Sequence, residues 1–167
     1  TMADNFASDD VRRTYLIWQG SKNDYPDDRT TMKYSGGEYD DVLFIRLAEV
    51  KLTYAEALVR TSGHVTDEAV NILNDVHQRA FPDGKKPARF TASDFSTVSD
   101  FLLEVLKERN RELAYEGHYR YDLMRTGNIL GDKTLGKIAK NRWNLPVPDY
   151  EIRISYGVIK QNSGYVG

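Results

Sequence analysis

One apolar stripe constrains this chain more than any other feature. From Val98 onward, Phe101, Leu102, Val105, Leu106, Leu113 and Ala114 recur at helical spacing. The line through Phe101 and Val105, however, runs on into Glu108, Glu112 and Tyr115. Carboxylates stand where core residues belong. Glu108, Glu112 and Glu116 fall at i, i+4 and i+8, so on one helix they repel by about 0.2–0.5 kcal/mol per pair unless cations intervene. Arg109, Arg111, Arg120 and Arg125 are the local cations, and a charge left unpaired on an otherwise apolar face costs too much to keep. The stretch predicts a helix ended by Gly117 in a left-handed turn, then a short second helix over 119–125 closed by Gly127. A partly buried ion-pair network, Asp122 included, would lock the two at a corner. Glu112 and Glu116 are expected to pair with arginines drawn from Arg46, Arg79, Arg109, Arg120 and Arg125.

Two more helices precede this one. Over 42–61, Leu43, Leu47, Val50, Tyr54, Ala57 and Leu58 make one apolar side, which Ala48, Leu52, Ala55 and Val59 broaden. A helix apolar over so wide an arc belongs at the centre of a bundle. Gly63 ends it, and Thr66 is the N-cap of a helix over 67–80 with Val70, Leu73, Asn74 and His77 on one side. Such a pair has the size of one tetratricopeptide repeat, about 34 residues. A single repeat cannot bury its own face, so it needs the helix from Val98 or further repeats beside it.

The remainder reads as irregular. Residues 1–14 are an extended or frayed lead-in, and 15–18 are an apolar run of strand length. Residues 20–41, with Pro26, Gly36 and Gly37, form a long loop. Residues 81–96 are loop, Ser96 or Thr97 caps the third helix, and one turn is expected at 135–138. Pro146 and Pro148 forbid regular helix around them, with a short helical turn over 150–154 and coil to the end. The expected fold is mainly α: a tetratricopeptide-like helix pair packed on a third long helix, with long irregular loops, a short strand pair and a coil C-terminal tail. It is read as a single domain over 1–167, with lead-in and loop at 1–41, a helical core at 42–126 and a closing segment at 127–167.

Composition narrows the function. With 167 residues, 29% charged, 40% apolar and a net charge of −2, the chain is globular and neither disordered nor nucleic-acid-binding. No apolar run approaches the roughly 20 residues that cross a bilayer. The absence of cysteine excludes a disulfide framework, a thiolate zinc site, a cysteine nucleophile and a lipidated cysteine within this chain. Glu108, Glu112 and Glu116 are not placed as a glycosidase pair, because they lie side by side on one rod among arginines, which hold carboxylates ionised. His64, His77 and His118 show no metal-ligand spacing, and His77 reads as a hydrogen-bonded core histidine. Neither Ser35-Gly36-Gly37 nor Ser62-Gly63-His64 matches a nucleophile elbow. Gly36-Gly37 and Gly127-Asn128 do not match a phosphate cradle. The acidic residues Asp24, Asp27, Asp28, Glu38, Asp40 and Asp41 lack the spacing of a calcium loop and read as solvated. No catalytic residue, metal or cofactor is predicted. The candidate ligand-binding residues are Trp18, Asn23, Tyr25 and Tyr39. A flat exposed ring can stack on the C–H face of a sugar while Asn23, Asp24 and Asp27 take hydroxyls, although each ring alone could equally pack on the helices.

The charged stretch resembles the C-terminal signature of the SusD/RagB family of outer-membrane nutrient-uptake lipoproteins, roughly E-R-x-x-E-L-A-x-E-G-x-R-x-x-D-L-x-R. It is met by Glu108, Arg109, Glu112, Leu113, Ala114, Glu116, Gly117, Arg120, Asp122, Leu123 and Arg125, with His118 and Tyr119 where many members have one residue. Arg46-Leu47-Ala48-Glu49 with Ala55-Glu56-Ala57 resembles the family's R-x-A-E-x-x-L-x-x-A-E-A helix. Leu145-Pro146-Val147-Pro148, Glu151-Ile152 and Gln161-Asn162-Ser163-Gly164-Tyr165 resemble its closing motifs, with Ser163 for the usual proline. The likeness runs from about Ile45 to Tyr165. It implies the C-terminal part of a non-catalytic, outward-facing outer-membrane protein. Such a protein binds oligosaccharide or peptide and delivers it to a TonB-dependent transporter. Contact with the membrane would be only through a lipid anchor encoded upstream. The motif residues would be scaffold, and no ligand-binding residue carries over by motif. The alternative is a helical-repeat interaction scaffold with no sugar ligand.

Overall fold

The structure, a computed structural model, describes residues 5–16, 18–19, 29–30, 33, 44–126 and 144–165. The chain divides into two compact units, Thr1–Arg125 and Thr126–Gly167. The described elements are helices α1 (Val11–Leu16), α2 (Leu47–Ser62), α3 (Asp67–Gln78), α4 (Val98–Glu112), α5 (His118–Thr126) and α6 (Asp149–Ile154), a short 3-10 helix at Ala92–Asp94 within the 81–96 connection, and strands β1 (Trp18–Gln19) and β2 (Arg29–Thr30). The strands pair antiparallel, Trp18 opposite Thr30 and Gln19 opposite Arg29. The fold is mainly α.

In the first unit α2 and α3 form a tetratricopeptide-like pair, and both pack on α4. The core takes Ala48, Leu52, Ala55 and Val59 from α2, Ala69, Val70, Leu73 and Val76 from α3, and Phe101 and Val105 from α4. Alanines at the contact let the helix axes approach closely, and the larger side chains fill the space between them. Gly63, at φ 72, ends α2 in the left-handed conformation that its missing Cβ permits. The hydroxyl of Thr66 accepts from the Ala69 amide to cap α3. Of the two candidate caps for α4, Thr97 is the one used, in a reciprocal box with Asp100. Asn74, fully buried on α3, holds the 81–96 connection by both of its amide atoms. Its Nδ2 donates to the Phe90 carbonyl at 2.8 Å, and its Oδ1 accepts from the Phe90 amide at 2.9 Å. Phe90, Phe95 and Phe101 then stack in sequence, the last pair edge to face at 5.1 Å.

The structure departs from the sequence reading in four places. The helix expected from residue 42 begins at Leu47, and Arg46 is extended at φ −141, ψ 161. Its buried face is the set of small and branched residues at 48, 52, 55 and 59. Leu47, Val50 and Tyr54 of the expected stripe are 71%, 53% and 48% exposed. The described part of the first unit supplies partners for one side of α2 only, and the side with the smaller residues packs closest. The lead-in is neither extended nor frayed over 5–16. Phe6 and Asp10 are buried, and the Val11 amide donates to the Ala80 carbonyl at 2.9 Å, which docks α1 against the end of α3. Tyr15 and Leu16 belong to that helix, so strand begins only at Trp18. Finally α4 stops at Glu112, before Gly117. The turn that follows holds Tyr115 at φ 64 and Gly117 at φ 81, and it lifts Glu116 off the rod that carries Glu108 and Glu112.

In the second unit α6 follows Pro148, and the closing motifs bind each other. Gln161 brackets Val147, its Nε2 donating to the carbonyl at 2.9 Å and its Oε1 accepting from the amide at 2.8 Å. Asn162 Nδ2 donates to the Leu145 carbonyl at 2.6 Å, and the Tyr165 hydroxyl to the Asn144 carbonyl at 3.1 Å. Gly127 and the turn expected at 135–138 lie outside the described residues, among which no helix is long and apolar enough to cross a membrane.

The uncovered side of α2, continued by Phe44 and Ile45, should bind an environment-sensitive dye and promote self-association. A Leu47→Glu, Val50→Glu double variant is expected to lose most of that dye signal. Its melting temperature should scarcely move, because surface changes usually stay within about 0.5 kcal/mol. Undiminished dye binding in the variant would place the exposed apolar surface elsewhere.

Candidate functional site

The carboxylates that interrupt the α4 stripe are the centre of the site. Glu108 is fully buried and takes donors from three segments. Arg12 Nη1 reaches its Oε1 at 2.6 Å, while Arg111 Nη2 and His77 Nδ1 reach its Oε2 at 2.8 and 2.9 Å. An ionised carboxylate only accepts, which puts the proton of that His77 contact on Nδ1. Burial alone would raise the Glu108 carboxyl. The hydrogen bond from His77 and the charges of Arg111 and Arg12 outweigh it and hold the group well below the usual carboxylate range. Phe81 and Phe90 close around the His77 ring at 5.2 and 5.4 Å.

Glu112, one turn on, is shared by three guanidiniums. Arg12 Nη1 contacts its Oε2 at 2.9 Å, and Arg46 Nη1 its Oε1 at 2.6 Å; Arg79 also reaches Oε1. Arg12 is oriented by Asp10, whose Oδ2 accepts from its Nη2 at 2.7 Å and whose Oδ1 accepts from its Nε and backbone amide. The turn after α4 brings Glu116 back toward the same point. Both of its oxygens accept from Arg46 Nε at 2.9 Å, and Oε1 also pairs with Lys33. Lys33 Nζ donates further to the carbonyls of Ala114 at 2.9 Å and Glu112 at 3.2 Å. The Glu116 carboxyl is likewise lowered, burial being outweighed by Arg46 and Lys33.

A second cluster joins α4, α5 and α2. Arg109, nearly all of it buried, donates from Nε to Asp122 at 2.8 Å and from Nη1 to the Thr53 hydroxyl at 3.0 Å. Arg125 bridges Asp122, at 2.8 Å from Nε, to both oxygens of Glu56, at 2.7 and 2.9 Å. Arg60 adds a third contact to Glu56 at 2.8 Å. Burial would raise Glu56, and Arg125 and Arg60 reverse this.

The expected residues are thus divided between two clusters. Arg46, Glu108, Glu112 and Glu116 meet in the first, and Arg109, Asp122 and Arg125 in the second, while Arg120 sits half-buried on α5. Of the arginines expected on Glu112 and Glu116, Arg46 and Arg79 are there, whereas Arg109 and Arg125 turn to Asp122. Asp10, Arg12 and Lys33 were not foreseen. Each lies in a stretch without periodicity, and no spacing in the sequence ties it to α4. Trp18 is placed only as the first residue of β1. Asn23, Tyr25 and Tyr39 lie outside the described residues.

This geometry suits anchoring better than proton transfer. A carboxylate held ionised by several donors has no proton to give near neutrality. Among the described residues, no group of three or more His, Asp or Glu side chains could hold a metal ion. Two open clefts flank the clusters. One, of about 390 Å³, lies beside Glu56, Arg60, Arg109 and Arg125. The other, of about 300 Å³, lies between the cations of the first cluster and an apolar wall of Val11, Leu16 and Ala80.

Two outcomes follow. Glu112→Ala removes a carboxylate from Arg12, which keeps Asp10 and Glu108, and from Arg46, which keeps Glu116. It is expected to cost about 3–5 kcal/mol by denaturant titration, against under about 1 for the exposed Arg79→Ala. Comparable small losses for both would remove the network from the fold's essentials. Glu56, Glu104, Glu108 and Glu116 are all lowered by their cations, against burial, so each contributes stability above the ordinary carboxylate range that is lost as pH falls. The melting temperature should therefore be flat above about pH 6 and drop steadily below about pH 4. A profile flat through that acid range would contradict the pairing.

Comparisons with known proteins agree with this architecture. The chain matches the SusD family model over residues 2–134. That match reaches further toward the N-terminus than the motif likeness and stops before the closing motifs. No curated protein matches it. Among solved structures it is similar to surface glycan-binding protein A from Bacteroides thetaiotaomicron, at 21% identity and TM-score 0.63, over 98% of this chain and 40% of that one. A SusD superfamily protein from Parabacteroides distasonis gives 23% identity and TM-score 0.62, over 98% and 41%. A SusD homolog from Bacteroides thetaiotaomicron gives 25% identity and TM-score 0.51, over 73% and 26%. The chain therefore spans well under half the length of these structures, and the likeness is one of fold. With the family model covering residues 2–134 of 167, the chain belongs to the SusD family.

Proposed function

We propose that this chain is the non-catalytic C-terminal part of a cell-surface glycan-binding protein at the outer membrane, which passes oligosaccharide to a TonB-dependent transporter. Its lipid anchor would lie upstream. Family membership supports the reading, together with the similarity to a structure named as a surface glycan-binding protein. The observation that carries it is local. Trp18, Asn23, Tyr25 and Tyr39 all fall between Arg12 and Arg46, and those two arginines grip the same carboxylate, Glu112. Lys33, between them in sequence, is held by Glu116 and two carbonyls of the same turn. The ion-pair cluster thus holds Arg12, Lys33 and Arg46, the residues that bound and divide this polar, ring-bearing stretch of sequence.

A second reading, a helical-repeat interaction scaffold with no sugar ligand, draws on the uncovered apolar side of α2. Titrating the chain with neutral oligosaccharides, followed by amide shifts, separates the two. The expected result is binding of millimolar strength or weaker, worth about 4 kcal/mol or less, and diminished in Trp18→Ala and Tyr25→Ala. Micromolar binding that survives both substitutions would move the site elsewhere. No response to any glycan, with partner binding lost in Leu47→Glu, would favour the scaffold.

A further inference from the structure

The larger cleft, of about 390 Å³, runs along one side of α2. Glu49, Thr53, Glu56 and Arg60 line it at i, i+4, i+7 and i+11, so they form one row on that helix. Ala57 stands beside the row, and Arg109 and Arg125 complete the lining. The middle of the cleft is fully engaged. Glu56 accepts from Arg60 and Arg125, and Asp122 holds Arg109 and Arg125. The two ends of the row are not. Glu49 Oε2 is closed off from solvent and accepts from no donor among the described residues, while its Oε1 meets His118 Nδ1 at 3.5 Å. Arg60, with 44% of its side chain exposed, gives Nε to Glu56 and neither Nη to any described acceptor. Between them the Thr53 hydroxyl accepts from Arg109 Nη1, and its own proton has no described acceptor.

We propose that this cleft binds a neutral disaccharide segment laid along α2. Each spare group fits a hydroxyl, which donates and accepts through one atom. One sugar hydroxyl donates to the Glu49 carboxylate and supplies the bond that burial denies it. Others accept from Thr53 and from the free edge of Arg60. The last torsion of a glutamate is broad, so the carboxylate can turn either oxygen to the cleft it lines. The Arg60 guanidinium is held beside Glu56, and from Glu49 to Glu56 is two helical turns, about 10 Å. Two linked pyranose rings cover that length and one does not. Ions are poorly served. An anion meets Glu49 and Glu56, and a cation meets Arg60, Arg109 and Arg125, where partial burial strengthens repulsion beyond its value in open water. The proposal rests on the glycan reading above. It adds a second site, apart from Trp18 and Tyr25, that recognises hydroxyls rather than ring faces.

The chain is titrated with maltose, cellobiose, methyl glucoside, cyclohexanol, sodium acetate and methylammonium chloride at matched ionic strength, following backbone amide shifts. Maltose or cellobiose should shift the amides of residues 49–60 saturably. Its binding should be at least about fivefold tighter than that of methyl glucoside, and about tenfold tighter than that of cyclohexanol or either ion. Glu49→Ala removes the spare acceptor together with a charge that lacks a close partner. It should weaken the disaccharide about tenfold while the melting temperature holds or rises, whereas loss of a merely structural group would lower it. Arg60→Gln, which leaves Arg125 on Glu56, should weaken binding about fivefold. Methyl glucoside, cyclohexanol, acetate or methylammonium matching the disaccharides would overturn the proposal. So would disaccharide binding unchanged in Glu49→Ala. If these amides stay silent while oligosaccharides act through Trp18 or Tyr25, the cleft falls and the glycan reading stands. If no sugar of any kind moves any amide, both fall.

Discussion

The fold depends on keeping the Glu108 carboxylate charged in a place without water. Removing one ion from solvent costs several kcal/mol even after the protein relaxes, and Glu108 is fully buried between apolar residues of α4. That cost is tolerable only when donors surround the group, and two of the three come from remote parts of the chain. Arg12 is brought by α1, His77 by α3, and Arg111 by the following turn of α4 itself. Glu112 repeats the arrangement with Arg46 from the entry to α2. The α4 face thus selects which segments must lie against it, and a chain lacking any one of them would hold a buried ion with an incomplete shell. Relative to an apolar core such clusters add little net stability. Their effect is to make the wrong neighbours expensive.

Much of this arrangement was legible because it depends on local rules. The N-cap of Thr66, the left-handed stop at Gly63 and the core positions of Val70, Leu73 and Phe101 follow from spacing and side-chain chemistry within a turn or two. The need for buried ion pairs was also visible, since Glu108 and Glu112 continue an apolar line. What spacing does not carry is the choice between equivalent partners. Arg109 and Arg46 are both plausible for Glu112 by charge. Arg109, one row round α4 from Glu112, meets Asp122 and Thr53 instead. Arg12 was invisible because a short polar helix near the N-terminus has no periodic signature until its docking site is known. The apolar arc of α2 is wide in the sequence, and which side of it packs depends on where α3 and α4 sit.

The two-sided character of α2 is what a repeat architecture produces. Each helix pair in such an array buries one side within itself and presents the other to a neighbour. Val50 and Tyr54 stand in that second position, opposite Leu52, Ala55 and Val59.

The double grip on Glu112 has a thermodynamic consequence. Arg12 and Arg46 stand at opposite ends of the segment carrying Trp18, Asn23, Tyr25 and Tyr39, and both report to one carboxylate on the helical core. Free energy exchanged at that carboxylate is reciprocal. A molecule that favours the gripped arrangement of the segment strengthens the packing of α1, α2 and α4 by the same amount that the packing strengthens its own binding. For a molecule bound to that segment, loading and rigidity of the scaffold would be one equilibrium seen from two sides. Occupancy would be communicated through the fold to any surface whose order depends on the same helices.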